Sequence, residues 1–379
     1  MPRLPLPTSC TLWPTSACNL NCSYCFVYKL YKVKHDVMDR DRADEAISFL
    51  ERTFPPDRGL AWFFGGEPLL AWDVVKYVTE TVRARGYGWT VGATTNATVI
   101  TEERARWMGR MGFGLNISLD GDEALHDRYR RFPDGRGSWR YVWQSIKHVR
   151  RYVNPNPQVR WTVFPDPEVL ERVPEVFRWF LDQGLTNVAM DFVYEVRVDE
   201  DLLKHVRKFF ERYIAILDAY YAAGVRPFSM FVRDAWEAVR NREAGVRANW
   251  MFRCGLAQGD FAIAPDGALY PCHRFVSGGE VRVGDVRKGF NPERLHFNER
   301  WWKMRPYSQD PELCLNCRYR WACTGGCLAM NYDLFGDTHV VPRTFCLIKD
   351  LNVEAFEPFV LKWRHVLERQ YGKATPAPW

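Results

Sequence analysis

The 379 residues contain no run approaching the ~20 consecutive apolar positions that a membrane-spanning helix needs. The opening MPRLPLPTSC holds three prolines and no apolar segment of the secretory kind, so the expected location is the cytoplasm and no membrane partner is expected. Charge of neither sign dominates. The 52 Lys and Arg stand against 46 Asp and Glu, a net +6 that reads as spread along the chain and is a weak argument for a nucleic-acid partner. Low-complexity segments are missing apart from a proline-containing tail, and no internal repeat of solenoid length is present. With 47% hydrophobic residues the chain has ample material for a core, which excludes collagen-like and disordered classes. What it has in unusual supply is cysteine. Eleven cysteines in a chain without a secretory segment do not read as a disulfide framework, since cytoplasmic thiols stay reduced and pairing would leave one over. Metal binding is the better expectation.

From about residue 8 to residue 225, short β-like runs alternate with helical periodicity, the mark of parallel β/α units. Candidate strands are Ser9–Trp13, Leu60–Phe64, Thr90–Thr94, Gly114–Leu119, Val159–Phe164 and Asn187–Tyr194. Between the first two, Ala43, Ala46, Ile47, Leu50 and Phe54 fall at helical spacing after Asp39. Further helices are expected over Val74–Ala84, Glu102–Met111, Tyr141–Tyr152, Pro174–Gln183 and Leu202–Ala223, with Pro174 placed in a first helical turn. Six such repeats predict an α/β fold, an incomplete (β/α)6 TIM-like barrel over residues 1–235. A cysteine-rich domain is expected over 236–350, with Phe261–Ala264 and Ala268–Pro271 forming a hairpin about Asp266–Gly267. A C-terminal helix and tail are expected over 351–379.

Cys18-x3-Cys22-x2-Cys25 follows the first strand. Three thiolates suit a four-iron cubane whose fourth iron stays open to another ligand, whereas a closed structural zinc site wants four ligands in two pairs. The sequence here resembles the radical S-adenosylmethionine (radical SAM) superfamily, whose signature is this triplet on the loop after strand one of a (β/α)6 partial barrel. The resemblance covers nearly the whole chain and implies SAM as cofactor. It places Tyr24 near the adenine, and Gly65-Gly66-Glu67-Pro68 at the amino group of the methionyl moiety, with the glycines allowing close backbone approach to the ligand. Asn96 in Thr95-Asn96, and Ser118 and Asp120 in Ser118-Leu119-Asp120-Gly121, match further stretches near the cofactor. Ser118 would reach the ribose or carboxylate, and Arg130 of His126-Asp127-x2-Arg130 would pair with the SAM carboxylate.

Downstream, Cys254 and Cys272 precede Cys314-x2-Cys317-x5-Cys323-x3-Cys327 and Cys346. Standing alone, the segment 314–327 reads as a zinc ribbon. In context the spacing resembles the SPASM extension of radical SAM enzymes, which implies two auxiliary [4Fe–4S] clusters and so three in all. One would be held by Cys314, Cys317, Cys323 and Cys346, and the nearer one by Cys254, Cys272 and Cys327, with one iron lacking a cysteine. Anaerobic sulfatase maturases carry an aspartate after the hairpin cysteine as proton acceptor and a further cysteine for the nearer cluster. This chain has His273 and no such cysteine, so the pattern looks more like the SCIFF-type peptide maturases that install thioether links. Those enzymes usually begin with a winged peptide-recognition domain. With 17 residues before Cys18, leader recognition is expected from a separate protein or another surface.

The function implied is hydrogen abstraction by a 5′-deoxyadenosyl radical that oxidises or crosslinks a side chain of a ribosomal peptide or protein, supplied with electrons by a low-potential ferredoxin- or flavodoxin-type donor. His273 is the candidate base, an imidazole being titratable near neutrality. Phe26, Trp62 and Phe63 are candidates for excluding water. Competing readings are a small-molecule or haem-type SPASM maturase, formylglycine formation, and a zinc-containing RNA-binding module, which predicts salt-dependent RNA affinity. Cys10 reads as a small buried hydrophobe and Lys147-His148-x-Arg150-Arg151 as a solvated basic helix face.

Overall fold

The computed structural model describes residues 8–27, 36–246, 260–276, 281–291 and 311–372. Strands and helices alternate as β1 (Ser9–Thr15), α1 (Arg40–Thr53), β2 (Leu60–Gly65), α2 (Trp72–Ala84), β3 (Thr90–Thr95), α3 (Glu102–Met111), β4 (Gly114–Ser118), α4 (Glu123–Tyr129), α5 (Trp139–Tyr152), β5 (Gln158–Val163), α6 (Pro167–Asp182), β6 (Val188–Phe192), α7 (Glu200–Ala222) and α8 (Met230–Glu243). Then come β7 (Asp260–Ile263), β8 (Ala268–Tyr270), β9 (Gly284–Asp285), β10 (Gly289–Phe290), α9 (Pro311–Asn316), α10 (Leu328–Phe335), α11 (Arg343–Lys362) and α12 (Arg364–Tyr371). Two compact units result, Met1–Val159 with Gly255–Glu299 and Arg160–Cys254 with Arg300–Trp379. Among the described residues no helix is long and apolar enough to cross a membrane.

In the first unit the strand order is β10-β9-β8-β7-β1-β2-β3-β4. β1 lies parallel to β2, Cys10 opposite Ala61 and Leu12 opposite Phe63, and parallel on its other edge to β7, Cys10 opposite Phe261. The β7–β8 hairpin turns at Gly267, whose φ of 85° needs a glycine, and thereby extends the barrel sheet. Alternation along the strands sorts the side chains. Cys10, Leu12, Ala61, Phe63, Val91, Ala93 and Ile117 are buried, as are Ala46 and Leu50 of α1, Val75 and Val78 of α2 and Val142 and Ile146 of α5. Phe63, expected near the site, belongs to this core and stacks on Phe113. Thr11, Trp62, Phe64, Thr94, Asn116 and Ser118 occupy the opposite, half-buried positions. A Cβ on Gly92 or Gly114 would fall 2.4 or 3.1 Å from the Trp62 ring, whose Nε1 donates to Thr94 Oγ1 at 2.9 Å. The two glycines thus make room for one indole lying across β2, β3 and β4.

The helix after β5 begins earlier than expected. Asp166 caps it by accepting from the backbone of Glu168 and Val169, and Pro167 takes the first position, so Pro174 sits in the interior of α6 rather than in its first turn. The last long helix also begins earlier, at Arg343, which places Cys346 on α11. In this second unit Lys349, one turn beyond Cys346, is buried with its Nζ 2.7 Å from Asp234 and 3.5 Å from Asp191. Asp191 in turn accepts from the Tyr194 hydroxyl at 2.6 Å, and these contacts tie α11 to β6 and α8. Aromatic packing of Phe356 of α11 against Phe210 of α7 and Phe231 of α8 adds to these contacts.

Candidate cofactor site

The loop after β1 carries Cys18, Cys22 and Cys25, all partly exposed. It is stitched to the end of β2 by backbone bonds from Gly66 N to Thr15 O at 3.2 Å and from Glu67 N to Ala17 O at 2.8 Å. A Cβ on Gly65 would lie 2.3 Å from Thr15 O and one on Gly66 2.2 Å from Ala17 O. Both glycines are therefore required by the close approach of two chain segments, a need that precedes any ligand. Gly65 also has φ of 134°.

Glu67 is 1% exposed and its carboxylate faces the end of β3. Oε1 accepts from Thr95 Oγ1 at 2.6 Å and Leu69 N at 3.0 Å, and Oε2 from Asn96 N at 2.6 Å. Burial pushes its pKa up to about 7 against the pull of these donors. The next residue, Pro68, starts a short 3₁₀ turn, Pro68–Ala71. Asn96, held at its backbone by Glu67, donates from Nδ2 to Asn19 Oδ1 at 2.9 Å and approaches Cys18 Sγ at 3.9 Å. Asn19 completes the chain by donating to Thr98 Oγ1 at 2.8 Å. Ala97 follows at φ 59°, a left-handed conformation disfavoured for a residue with a Cβ.

At the end of β4 a second knot forms. Asp120 Oδ2 accepts from the Tyr24 hydroxyl and from Arg130 Nε at 2.6 Å, and the Arg130 guanidinium lies over the Tyr24 ring and reaches Cys22 Sγ at 4.0 Å. Arg130 is 9% exposed and Asp120 2%. The guanidinium expected to meet the SAM carboxylate is thus held by Asp120. His126 accepts from Asp120 N at Nδ1, 3.2 Å away, which leaves the proton on Nε2 to meet Ser138 Oγ at 2.9 Å. Ser138 donates onward to Arg130 O at 2.7 Å. Burial and the neighbouring Arg130 hold His126 well below the ordinary imidazole range, so this relay is neutral. Ser118 occupies a half-buried position at the end of β4.

Burial pushes the Cys18 thiol up to about 12, and burial opposed by Arg130 pushes Cys22 up to about 11. Both keep their protons until a cation compensates the thiolate, and Leu20 N, Asn96 Nδ2 and Arg130 Nη stand ready to donate to sulfur. Among the described residues no three His, Cys, Asp or Glu side chains converge on a single ion. A donor set of three thiols on one short loop fits a cubane instead, whose cysteines bind different irons.

His273 follows Cys272 in the same unit, its ring 4.7 Å from Phe64 and 6.3 Å from Phe26, the neighbours of Gly65 and Cys25. Arg274 lies over the Phe26 ring at 4.4 Å. In the second unit Cys314 lies in α9, Cys317 and Cys327 immediately precede a short 3₁₀ turn and α10, and Cys323 Sγ accepts from Gly325 N at 3.3 Å. Cys317, Cys323 and Phe345 pack on one apolar cluster of Ala238, Tyr319, Ala322 and Val353. Burial, with Asp350 and Cys323 nearby, pushes the Cys317 thiol up to about 12. Cys254 lies outside the described residues.

Two groups of expected residues therefore come together, Cys22 with Tyr24, Asp120 and Arg130, and Cys18 with Glu67 and Asn96. Sequence reasoning quoted Thr95 and His126 within motifs without giving them a role, and overlooked Asn19, Thr98 and Ser138. Their roles are hydrogen bonds between strand ends, which no local spacing announces, although Asn19 lies inside the cysteine triplet and His126 inside a quoted motif.

Residues 14–180 match the family model of the Radical SAM superfamily. The chain is 23% identical over 337 residues to a cysteine-type anaerobic sulfatase-maturating enzyme of Clostridium novyi (strain NT), covering 83% of this chain and 85% of that one. Its fold resembles a solved structure described as native anSMEcpe with bound AdoMet, with TM-score 0.77, 19% identity and coverage of 95% and 100% of the two chains. It also resembles Streptococcus suis SuiB bound to precursor peptide SuiA, with TM-score 0.61, 16% identity and coverage of 90% and 76%. These likenesses establish the α/β partial barrel of TIM-like type with a cysteine-rich C-terminal region. Given the matched region and the cysteine loop within it, the chain carries a Radical SAM domain over residues 14–180 and is an enzyme of the radical SAM type.

Proposed function

We propose that this enzyme binds SAM and an iron–sulfur group at Cys18, Cys22 and Cys25 and modifies a side chain of a peptide or protein, oxidising or crosslinking it. The observation that carries this reading is the placement of the His273 ring against Phe64, directly before Gly65-Gly66, and near Phe26, directly after Cys25. An imidazole there can take the proton that a substrate thiol or hydroxyl must lose as it is oxidised. The solved neighbour SuiB bound to precursor peptide SuiA supports a peptide substrate.

When bound, SAM and the iron–sulfur group supply a radical able to abstract hydrogen from an unactivated carbon. The chain's own residues prepare the place. Gly65 and Gly66 let β2 press against the cysteine loop. Glu67 holds the Asn96 amide near the Cys18 sulfur. Asp120 orients Tyr24 and keeps the Arg130 cation beside Cys22, where it favours the thiolate. Phe26, Phe64 and Trp62 exclude water. Cys314, Cys317, Cys323 and Cys346 would hold an auxiliary cluster.

Thioether formation and formylglycine formation both remain in this class. The coverage of the sulfatase-maturase relatives favours the second, and His273 in the aspartate's place favours the first. The test is anaerobic reconstitution followed by iron analysis and detection of 5′-deoxyadenosine with dithionite and SAM. Three clusters correspond to about twelve irons and a single cluster to about four. Cysteine-containing peptides are then analysed by mass spectrometry and with a hydrazide probe. Loss of two hydrogens with loss of the free thiol identifies a crosslink, whereas a hydrazide-reactive aldehyde identifies formylglycine. Deoxyadenosine production that survives a Cys18/Cys22/Cys25→Ala triple variant would overturn the assignment.

A further inference from the structure

One side chain of the barrel sheet has no task in the fold. On the face of β1–β4 turned away from the helices, the parallel register sets the side chains in layers. In one layer Thr11 stands opposite Trp62, Trp62 opposite Gly92 and Gly92 opposite Gly114, and the Trp62 indole fills it. The next layer lies two residues nearer the strand ends and holds Phe64, Thr94 and Asn116, Thr94 being opposite Asn116. Phe64 meets Trp13 at 5.8 Å, Phe26 at 6.2 Å and the His273 ring at 4.7 Å. The Thr94 oxygen accepts from Trp62 Nε1 at 2.9 Å, and since an indole N–H only donates, the Thr94 hydroxyl keeps its own proton to give. Asn116 is half-buried, and among the described residues its carboxamide makes no hydrogen bond.

The fold does not ask for an amide there. Asparagine is depleted in strand interiors, and a half-buried polar group without a partner costs stability where valine or threonine would add to it. Trp62 already has its acceptor in Thr94, so Asn116 is not needed to satisfy it. Departures of this kind from the local rules gather at functional sites. The layer also suggests the ligand. Ser118, two residues on, is the position that the resemblance gives to SAM, and Asn116 lies one layer beneath it, level with the ring that touches His273. Phe64 and Asn116 are two strands apart, about 10 Å at the usual spacing, a length that about three residues of extended peptide span.

We propose that Asn116, assisted by Thr94, is a specificity-determining residue that holds the main chain of the substrate peptide within about three residues of the side chain being modified. The inference rests on the proposed peptide-modifying function. One residue of an extended peptide shows its N–H and C=O on the same edge, and a carboxamide offers the C=O and N–H that complement them. The Thr94 hydroxyl, beside it across the strand pair, adds a second donor for the peptide carbonyl. Recognition of this kind reads the backbone and leaves the flanking side chains free to vary.

The test uses the reconstituted enzyme with SAM, the variant Asn116→Leu, and a heptapeptide library with a fixed central cysteine and random flanks, together with versions of the library N-methylated at one position each. Retention of each library on the immobilised enzyme is quantified by mass spectrometry. In wild type, methylation at one position should lower retention roughly five- to tenfold, the size of a hydrogen bond lost from a group left unpaired, and in Asn116→Leu the same methylation should have no effect. Asn116→Asp, which keeps the acceptor for the peptide N–H, should remain sensitive to that methylation. Deoxyadenosine formation with dithionite and the KM for SAM, both measured without peptide, should stay within about twofold of wild type in Asn116→Leu. Asn116→Val carries the test if the leucine variant fails to fold. An identical methylation pattern in wild type and Asn116→Leu would overturn the proposal and leave the enzyme assignment intact. A raised KM for SAM with unchanged retention would also overturn it, since the carboxamide would then serve SAM. A wild type that makes deoxyadenosine but retains none of the libraries would strike at the proposed peptide function itself, and the proposal would fall with it.

Discussion

Replacing Glu67 by Gln should change the pH dependence of stability in a way set by burial. The carboxylate is 1% exposed and its pKa stands at about 7, against the ordinary 4.5. Between these values the folded state binds the proton more tightly than the unfolded one, so stability falls as pH rises, being fully retained below about 4.5 and lost progressively up to about 7. A displacement of this size corresponds to about 3 kcal/mol over the whole window, and to about 2 kcal/mol between pH 5.5 and 8. Glu67→Gln removes the titration but sets an amide N–H against the Asn96 N–H, leaving one buried donor unsatisfied at a cost of about 1–3 kcal/mol. The variant should therefore be less stable than wild type at pH 5.5, with the gap closing by about 2 kcal/mol toward pH 8. Urea unfolding of the reconstituted protein at a series of pH values measures this, and other groups cancel in the difference. Parallel curves for the two proteins would refute the reasoning, because they would mean that Glu67 ionises as it does in water.

Asp120→Ala should destabilise by about 3–5 kcal/mol, since it strands the Arg130 guanidinium in the interior, and Asp120→Leu/Arg130→Met should recover much of that loss in the same unfolding assay. Gly66→Ala should lower iron incorporation at the three-cysteine loop, because its Cβ would meet Ala17 O at 2.2 Å; a full iron content would count against this account of the glycine pair. Gly92→Ala should cost about 1–3 kcal/mol, its Cβ meeting both the Trp62 ring at 2.4 Å and Gly114 O at 2.5 Å, and a Trp62→Leu background should relieve the first part only, so that the cost shrinks without vanishing, as thermal melts of the two pairs would show. His273→Gln should preserve deoxyadenosine formation with dithionite while slowing product formation on peptide and altering its pH profile, both read by mass spectrometry.

The regular elements were legible where periodicity was strong. Glu102–Met111 was expected with the bounds it has, and Asp39 does cap α1, accepting from Arg42 N. Pro174 was misread as a helix start because a proline suits a first turn. The competing signal, Asp166 followed by Pro167, satisfies the same rule about two turns earlier and adds a side-chain cap. The C-terminal helix was begun too late, at residue 351, because the cysteine at 346 drew the boundary of the cysteine-rich segment past the true start at Arg343. Phe63 was expected near the site, and strand alternation turns it to the opposite face.

The sequence by itself determined the chemistry that is local. Three cysteines within eight residues share one loop whatever the remainder does, and Gly-Gly-Glu-Pro and Ser-Leu-Asp-Gly fall at strand ends because apolar periodicity stops there. The tertiary structure alone decided which of these groups meet. Glu67 with Asn96, Asp120 with Tyr24 and Arg130, and His273 beside Phe64 are contacts between segments far apart in the chain. They depend on strand register, on the parallel docking of β7 against β1, and on burial that makes each charged group find its partners among the neighbouring strand ends. Register is a property of the assembled sheet: a one-residue slip would turn Phe64 to the other face and carry the loops after β2, β3 and β4 out of the alignment in which their side chains meet.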